Sequence, residues 1–241
     1  NYKIFILRYK FSILPDHFFF GCKSSDFKED SYLEIEDLSD LESRINLKIA
    51  LHESGNTKAI ISIGKINKFL NARLFVTNSE INFGNGSCGH WDIRSWHGSK
   101  FFLRGNNIFS GGVKCILEHG SEVNIGEDCM FSDDVLIQCG SQHALICLEE
   151  KKQINTERSL INIQDHVWLG RGATVTTTSR LLEIGSGSIV GINSTLTRTI
   201  PETSLAVGYP AKVTRNNISW SNTFRANKKE LDRIYSKFME N

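Results

Sequence analysis

Seven histidines are scattered along the 241 residues, and His143 holds the position best suited to chemistry. It falls where a regular spacing of aliphatic residues stops and a polar excursion begins. A histidine at the root of such a loop can be partly buried and still reach a ligand. Its imidazole titrates near neutral pH, so it can remove the proton of a hydroxyl, itself a poor nucleophile, during attack on an electrophile. The bland alternative is a histidine that plugs a corner. Trp168 precedes the aliphatic Leu169 in an alternating run and therefore projects outward, offering apolar surface and one N–H donor to a ligand or to a neighbouring subunit. The closing stretch VGYPAKVTR (207–215) contributes Lys212 and Arg215, cations able to bind phosphate through charge-assisted hydrogen bonds.

Other chemistries find little support. The six cysteines show no CxxC spacing, so neither zinc nor a disulfide framework is expected, and they read as small, reduced core residues. There is no GxGxxG, P-loop or nucleophile elbow, and GRGATV (170–175) is not followed by a helix as a phosphate loop requires. His17 and His52 read as surface residues of the N-terminal zone. His90, His97 and His119 read as solvated corners that could line an acceptor groove, and His166 as a structural turn residue. A net charge of +1 gives no reason to expect nucleic acid or a membrane surface as partner. The N-terminal apolar runs are broken by Arg8, Lys10, Pro15 and Asp16, so neither a membrane span nor a signal peptide is expected and the reading is cytoplasmic.

The elements that position these residues follow from a count. Ile125, Phe131 and Ile137 are six apart, as are Ile163, Leu169 and Val175, and Ile184, Val190 and Leu196. A period of six suits neither a helix nor ordinary strands; three such hexads make one triangular turn of a solenoid, with the aliphatic residues pointing to its axis. The last two triplets are offset by 21 rather than eighteen, which places a three-residue insertion within Thr177 to Leu182. After Ile137 the next hexad position is His143, and the period is lost until Ile163, so residues 144–160 read as a loop expelled from the coil. Such excursions from a rigid scaffold are usually functional. Three zones result: a small α/β lead-in over 1–58, with a helix over EDLSDLESRINLKIALHES (36–54); a solenoid over 59–215; and an extension over 216–241, where Leu231, Ile234, Tyr235 and Phe238 form one face of an amphipathic helix.

The hexads, the stretch GGVKCILEHGSEVNIGEDCMFSDDVLI (111–137), Gln142-His143, DHVWLG (165–170) and VGYPAKVTR resemble the hexapeptide-repeat acyltransferases, over roughly half the chain. The loop and SWSN (219–222) are most similar to surface-polysaccharide O-acetyltransferases, including those acting on polysialic acid. The resemblance implies a mainly β fold, a left-handed parallel β-helix, working as a homotrimer with acetyl-CoA as acyl donor and no metal. It implies His143 as general base in direct transfer, without an acyl-enzyme, and Trp168 beside the thioester. It implies donor contacts at Arg171, Ile192, Thr197 and Arg198, with Tyr209 altering the packing near the pantetheine or adenine and Lys212 and Arg215 facing the phosphates. The residue orienting His143 stays open among Asp133, Asp134 and Glu118. O-acetylation of a saccharide is the leading expectation. N-acetylation of an amino sugar or nucleotide sugar, and a non-catalytic scaffold, are the alternatives. The histidine-ligated zinc of β-helical carbonic anhydrases is disfavoured, since His143 and His166 do not match its spacing.

Overall fold

The computed structural model describes residues 7–36, 43–51, 57–178 and 181–239. Among the described residues three sheets form the sides of a triangular solenoid, and successive coils add one parallel strand at a time to each; only their end strands Leu7–Lys10 and Ala211–Asn216 pair antiparallel. One sheet has eight strands, from Leu7–Lys10 to Leu181–Ile184; a second has seven, from Ile45–Leu51 to Thr195–Leu196; a third has six, from Ile108–Phe109 to Ala211–Asn216. In a regular coil the chain visits the eight-, six- and seven-stranded sheets in that order, as in Glu122–Ile125, Met130–Phe131 and Val135–Cys139.

The hexads do what their spacing predicts. Ile125, Ile163 and Ile184 stand in one ladder, Phe131, Leu169 and Val190 in the next, and Ile137, Val175 and Leu196 in the third. All nine are at most 2 % exposed. Each such burial is worth roughly 1.5–3 kcal/mol before conformational entropy is subtracted, and stacking makes the gain cooperative between neighbouring coils. The corners need left-handed backbone, met at one row by Asp128 (φ 57°), His166 (φ 58°) and Gly187 (φ 74°). The three-residue insertion falls between Thr177 and Leu181, partly outside the described residues.

The lead-in is corrected by the structure. Ile45–Leu51, expected within a helix, is a strand that pairs in parallel with Leu70–Val76 and belongs to the seven-stranded sheet. Its burial alternates, with Ile45, Leu47 and Ile49 inward, so the period-two signal of INLKIAL prevails over the acidic run before it. Of the rest of the expected helix, Ser43 is helical, while 37–42 and 52–54, with His52, lie outside the described residues. Tyr32–Ile35 likewise pairs in parallel with Ala59–Ile63, so the sheets run unbroken through residue 58. Phe11, Phe19 and Phe27 pack against one another over the first coil.

At the other end, the antiparallel pair Ser204–Gly208 and Ala211–Asn216 closes the six-stranded sheet, turning at a cis Tyr209-Pro210 bond. The helix spans Lys228–Met239, starting later than the amphipathic pattern because Asn227 caps it, its Oδ1 accepting from the Glu230 backbone N–H at 3.0 Å. Ile234 and Phe238 are half-buried, whereas Leu231 and Tyr235 remain exposed.

Candidate active site

His143 lies at the corner between the seven- and eight-stranded sheets, four residues after Val135–Cys139 leaves one and before Leu160–Ile163 enters the other. Between them the chain leaves the coil as a small antiparallel hairpin, Ile146–Cys147 against Lys152–Gln153. Asn155 ties the root of this loop: its Nδ2 donates to the His143 carbonyl at 2.8 Å and its Oδ1 accepts from the Leu145 N–H at 2.8 Å. Ser141 Oγ donates to the same His143 carbonyl at 3.1 Å. The backbone of His143 is thereby fixed while its side chain is exposed. Among the described residues the imidazole has no hydrogen-bond partner, so its ring is available to a ligand.

A cavity of about 430 Å³ opens beside it, lined by Glu118, His119, Gln142, His143, Asn155 and Glu157 among others. This is the size of a small-ligand site, with an unusually polar lining. His119 stacks on His97 of the preceding coil, ring centroids 5.1 Å apart and planes within 4°. Glu118 is only 3 % exposed. Burial pushes its carboxyl above the usual carboxylate range, against the pull of the Gln142 amide and the His119, His97 and His143 imidazoles.

The residues expected around the acyl donor are placed elsewhere. Trp168 sits on the outer side of the six-stranded sheet, half-buried, with Nε1 donating to Ser132 Oγ at 3.2 Å. Arg171 and Ile192 occupy stacked positions at the corner between the six- and seven-stranded sheets, where the Asn193 N–H donates to the Arg171 carbonyl at 2.8 Å. Gly170 keeps that stack tight, since a Cβ there would stand 2.9 Å from the Ile192 nitrogen. Thr197 and Arg198 follow Thr195–Leu196, at the same corner as His143 but nearer the C-terminal end. Tyr209, Lys212 and Arg215 are exposed on the terminal hairpin. Among the described residues Arg171, Arg198, Lys212 and Arg215 form no salt bridge and are free to meet phosphate.

None of these donor-side residues lines the His143 cavity. In a triangular coil the His143 corner is opposite the sheet that carries Trp168, so a single chain does not bring the two together.

His166 is structural, as its place at a turn suggested, and it organises more than the turn. Its ring is 1 % exposed, contacts Asp128 Oδ2 at 2.7 Å and the Trp220 carbonyl at 3.0 Å, and stacks on Trp220 at 4.2 Å. Trp220 Nε1 donates back to the His166 carbonyl at 2.7 Å, and Phe238 of the helix reaches the same ring at 5.5 Å. Lys237 and Arg233 extend the cluster, 3.6 and 3.8 Å from Asp128 Oδ2. Trp220 lies 6.3 Å from Trp168, so this clamp seats the C-terminal segment beside the outward indole. No spacing in the sequence signals the clamp, because its members come from 128, 166, 220 and the helix.

The cysteines supply no nucleophile at the core. Burial pushes the Cys129 and Cys139 thiols up to about 12 and the fully buried Cys115 well above its usual value. Among the described residues no group of three or more histidine, cysteine or carboxylate side chains is arranged to hold a metal ion. Nor is any helix among them long and apolar enough to cross a membrane.

No family model matches the chain. It is 28 % identical over 135 residues to the polysialic acid O-acetyltransferase of Escherichia coli O1:K1, covering 56 % of this chain and 42 % of that protein. A Schizosaccharomyces pombe protein provisionally named an acetyltransferase is 34 % identical over 118 residues, 49 % of this chain and 51 % of its own. Among solved structures, the polySia-specific acetyltransferase NeuO superposes with a TM-score of 0.64 at 25 % identity, covering 80 % of this chain and 91 % of that one. The chain is similar to polysialic acid O-acetyltransferases. The polysialic acid O-acetyltransferase OatWY shares the fold, with a TM-score of 0.65 at 22 % identity over 81 % of this chain and 95 % of that one. The chain spans about half the length of the curated relatives it matches.

Proposed function

We propose that the chain transfers an acetyl group from acetyl-CoA to a hydroxyl of a saccharide, with a capsular or other surface polysaccharide containing sialic acid as acceptor. The observation that carries this reading is the unpartnered His143 imidazole beside a polar cavity, at the one corner where the coil is interrupted. The similarity to polysialic acid O-acetyltransferases supports the choice of acceptor.

In this reading a ring nitrogen of His143 takes the proton of the acceptor hydroxyl as its oxygen attacks the thioester carbonyl carbon. The tetrahedral intermediate collapses with cleavage of the carbon–sulfur bond, and the imidazolium returns the proton to the departing thiolate. The high thiol values of Cys115, Cys129 and Cys139 favour such direct transfer over an acyl-cysteine. Trp168 packs the donor near its thioester, Arg171, Ile192, Thr197 and Arg198 flank the pantetheine, and Tyr209, Lys212 and Arg215 hold the nucleotide end. The separation of His143 from Trp168 within one chain supports a homotrimer, in which the corner of one subunit faces the donor-binding sheet of the next. A cytoplasmic place in capsule biosynthesis follows from the acetyl-CoA donor.

The test is thiol release from acetyl-CoA in the presence of a panel of bacterial polysaccharides and amino sugars, with the product scored as ester or amide. Ester formation on one glycan, reduced about 10²–10⁴-fold in His143→Ala, is the expected outcome. Amide product, or near-normal turnover of His143→Ala at saturating acceptor, overturns it.

A further inference from the structure

The floor of the His143 cavity holds a group that the fold leaves unfinished. Glu118 is 3 % exposed, and its Oε1 is buried with no hydrogen-bond partner among the described residues. A buried polar atom in that state costs about 1–3 kcal/mol, and more when charged, so folds retain few of them. Among the described residues Glu118 forms no salt bridge, and the charges acting on its carboxyl are the His119, His97 and His143 imidazoles. The next coil pins it in place: a Cβ on Gly140 would stand 2.9 Å from Glu118 Cβ and 3.3 Å from its carbonyl oxygen. The backbone and Cβ of Glu118 are therefore closely packed, and its carboxyl is incompletely bonded, against a cavity shared with His143.

We propose that Glu118 is an acceptor-binding residue, its Oε1 receiving a hydrogen bond from a sugar hydroxyl adjacent to the one that His143 deprotonates. The inference rests on the acyl-transfer reading above and names a recognition element within it. The chemistry of the lining selects the ligand. A carboxylate repels the phosphates of the donor, whose expected cations lie outside this cavity. A hydroxyl is a neutral donor that satisfies the carboxylate without the desolvation cost of a second ion. A pyranoside offers neighbouring hydroxyls at the separation required, one for the base and one for the carboxylate. Holding the second hydroxyl fixes the orientation of the first, which is how binding energy at a non-reacting group serves the reacting one.

The test uses the 241-residue chain and the glycan that the unmodified enzyme esterifies in the panel above, with KM measured separately for glycan and for acetyl-CoA. Glu118→Gln is expected to raise the glycan KM about tenfold or more, the equivalent of one hydrogen bond to a charged group. The acetyl-CoA KM and the pH dependence of kcat stay unchanged, and Glu118→Asp recovers part of the loss. A second measurement needs no variant to fold: acceptors lacking single hydroxyls, assayed with the unmodified enzyme, identify one hydroxyl besides the acetylated one whose removal raises KM to a similar extent. A fall in kcat with a displaced pH profile at constant glycan KM assigns Glu118 to orienting His143 and overturns the proposal. So do unchanged kinetics in Glu118→Gln, or deoxy acceptors that all bind equally well. If the unmodified enzyme esterifies no glycan, the acyl-transfer reading fails and this one with it; an active enzyme indifferent to Glu118→Gln removes this one alone.

Discussion

The opposed positions of His143 and Trp168 make a quantitative prediction about mixed oligomers. Suppose a site takes its base from the corner of one subunit and its donor surface, with Trp168, from the next. A His143→Ala chain then supplies a sound donor surface, and a Trp168→Ala chain a sound base. Co-assembled at equal amounts into a cyclic trimer, a given site is intact when its two contributing neighbours are of the right kinds, each with probability one half. About one quarter of all sites then recover full activity, which is one site in three within the mixed trimers that carry both variants. Each variant alone has no intact site, and loss of the base alone costs about 10²–10⁴-fold. The co-assembled preparation therefore stands far above either parent. The assay is thiol release from acetyl-CoA, on trimers purified through a different tag on each variant after co-expression. Activity no greater than the mean of the two variants refutes the shared site, and full turnover by Trp168→Ala alone removes that residue from it.

His166→Ala deletes two hydrogen bonds and one ring stack from the clamp, a loss of about 3 kcal/mol. It is expected to lower the melting temperature and speed hydrogen exchange in Lys228–Met239; unchanged exchange there refutes the clamp. The Asp128 carboxyl is held below the usual carboxylate range, by its hydrogen bond to His166 and by the His166, Lys237 and Arg233 charges that outweigh its desolvation. Its contribution is thus complete above the unfolded value of about 3.9 and lost as pH falls through the lower folded value, so Asp128→Asn flattens the acid limb of stability against pH. A thiol probe at neutral pH is expected to label the half-exposed Cys147 well before the buried Cys115, Cys129 and Cys139, and rapid labelling of those three contradicts their raised thiol values.

The regular coils were legible because a hexad is a packing unit: Ile163, Leu169 and Val175 each fill one side of a triangle, so sequence period and spatial period coincide. The early coils were not, for the opposite reason. Leu70–Val76 and Gly89–Ser95 are seven-residue strands, and the first described strand of the six-stranded sheet is Ile108–Phe109, so the sides are unequal and the period blurs. Ile45–Leu51 was misread because the helical pattern opened by the acidic residues ahead of it was carried too far, while the alternation that decides the matter occupies only seven residues. The position of His143 could be read because it interrupts a count. Glu118 could not be singled out from Asp133 and Asp134, since all three are acidic corner residues and only tertiary burial distinguishes them.

That the cavity proposed for the acceptor sits at a break in the repeat follows from the spacing of the coils. Neighbouring parallel strands lie about 4.8 Å apart, too close for a sugar ring to enter between successive regular coils. Room for one exists only where extra residues are spliced into a corner. The corner between the seven- and eight-stranded sheets carries extra residues in two successive coils, first in the His143 loop and then in the insertion after Thr177. The donor has the contrary requirement. An extended pantetheine chain needs backbone groups and side chains repeated at even intervals, which a regular edge such as Arg171 and Ile192 provides and an interrupted one does not. One coil cannot be both interrupted and regular at the same corner. In the proposed reading the two substrates are therefore held on different parts of the surface, and bringing the His143 corner to the Trp168 sheet becomes the task of assembly rather than of folding.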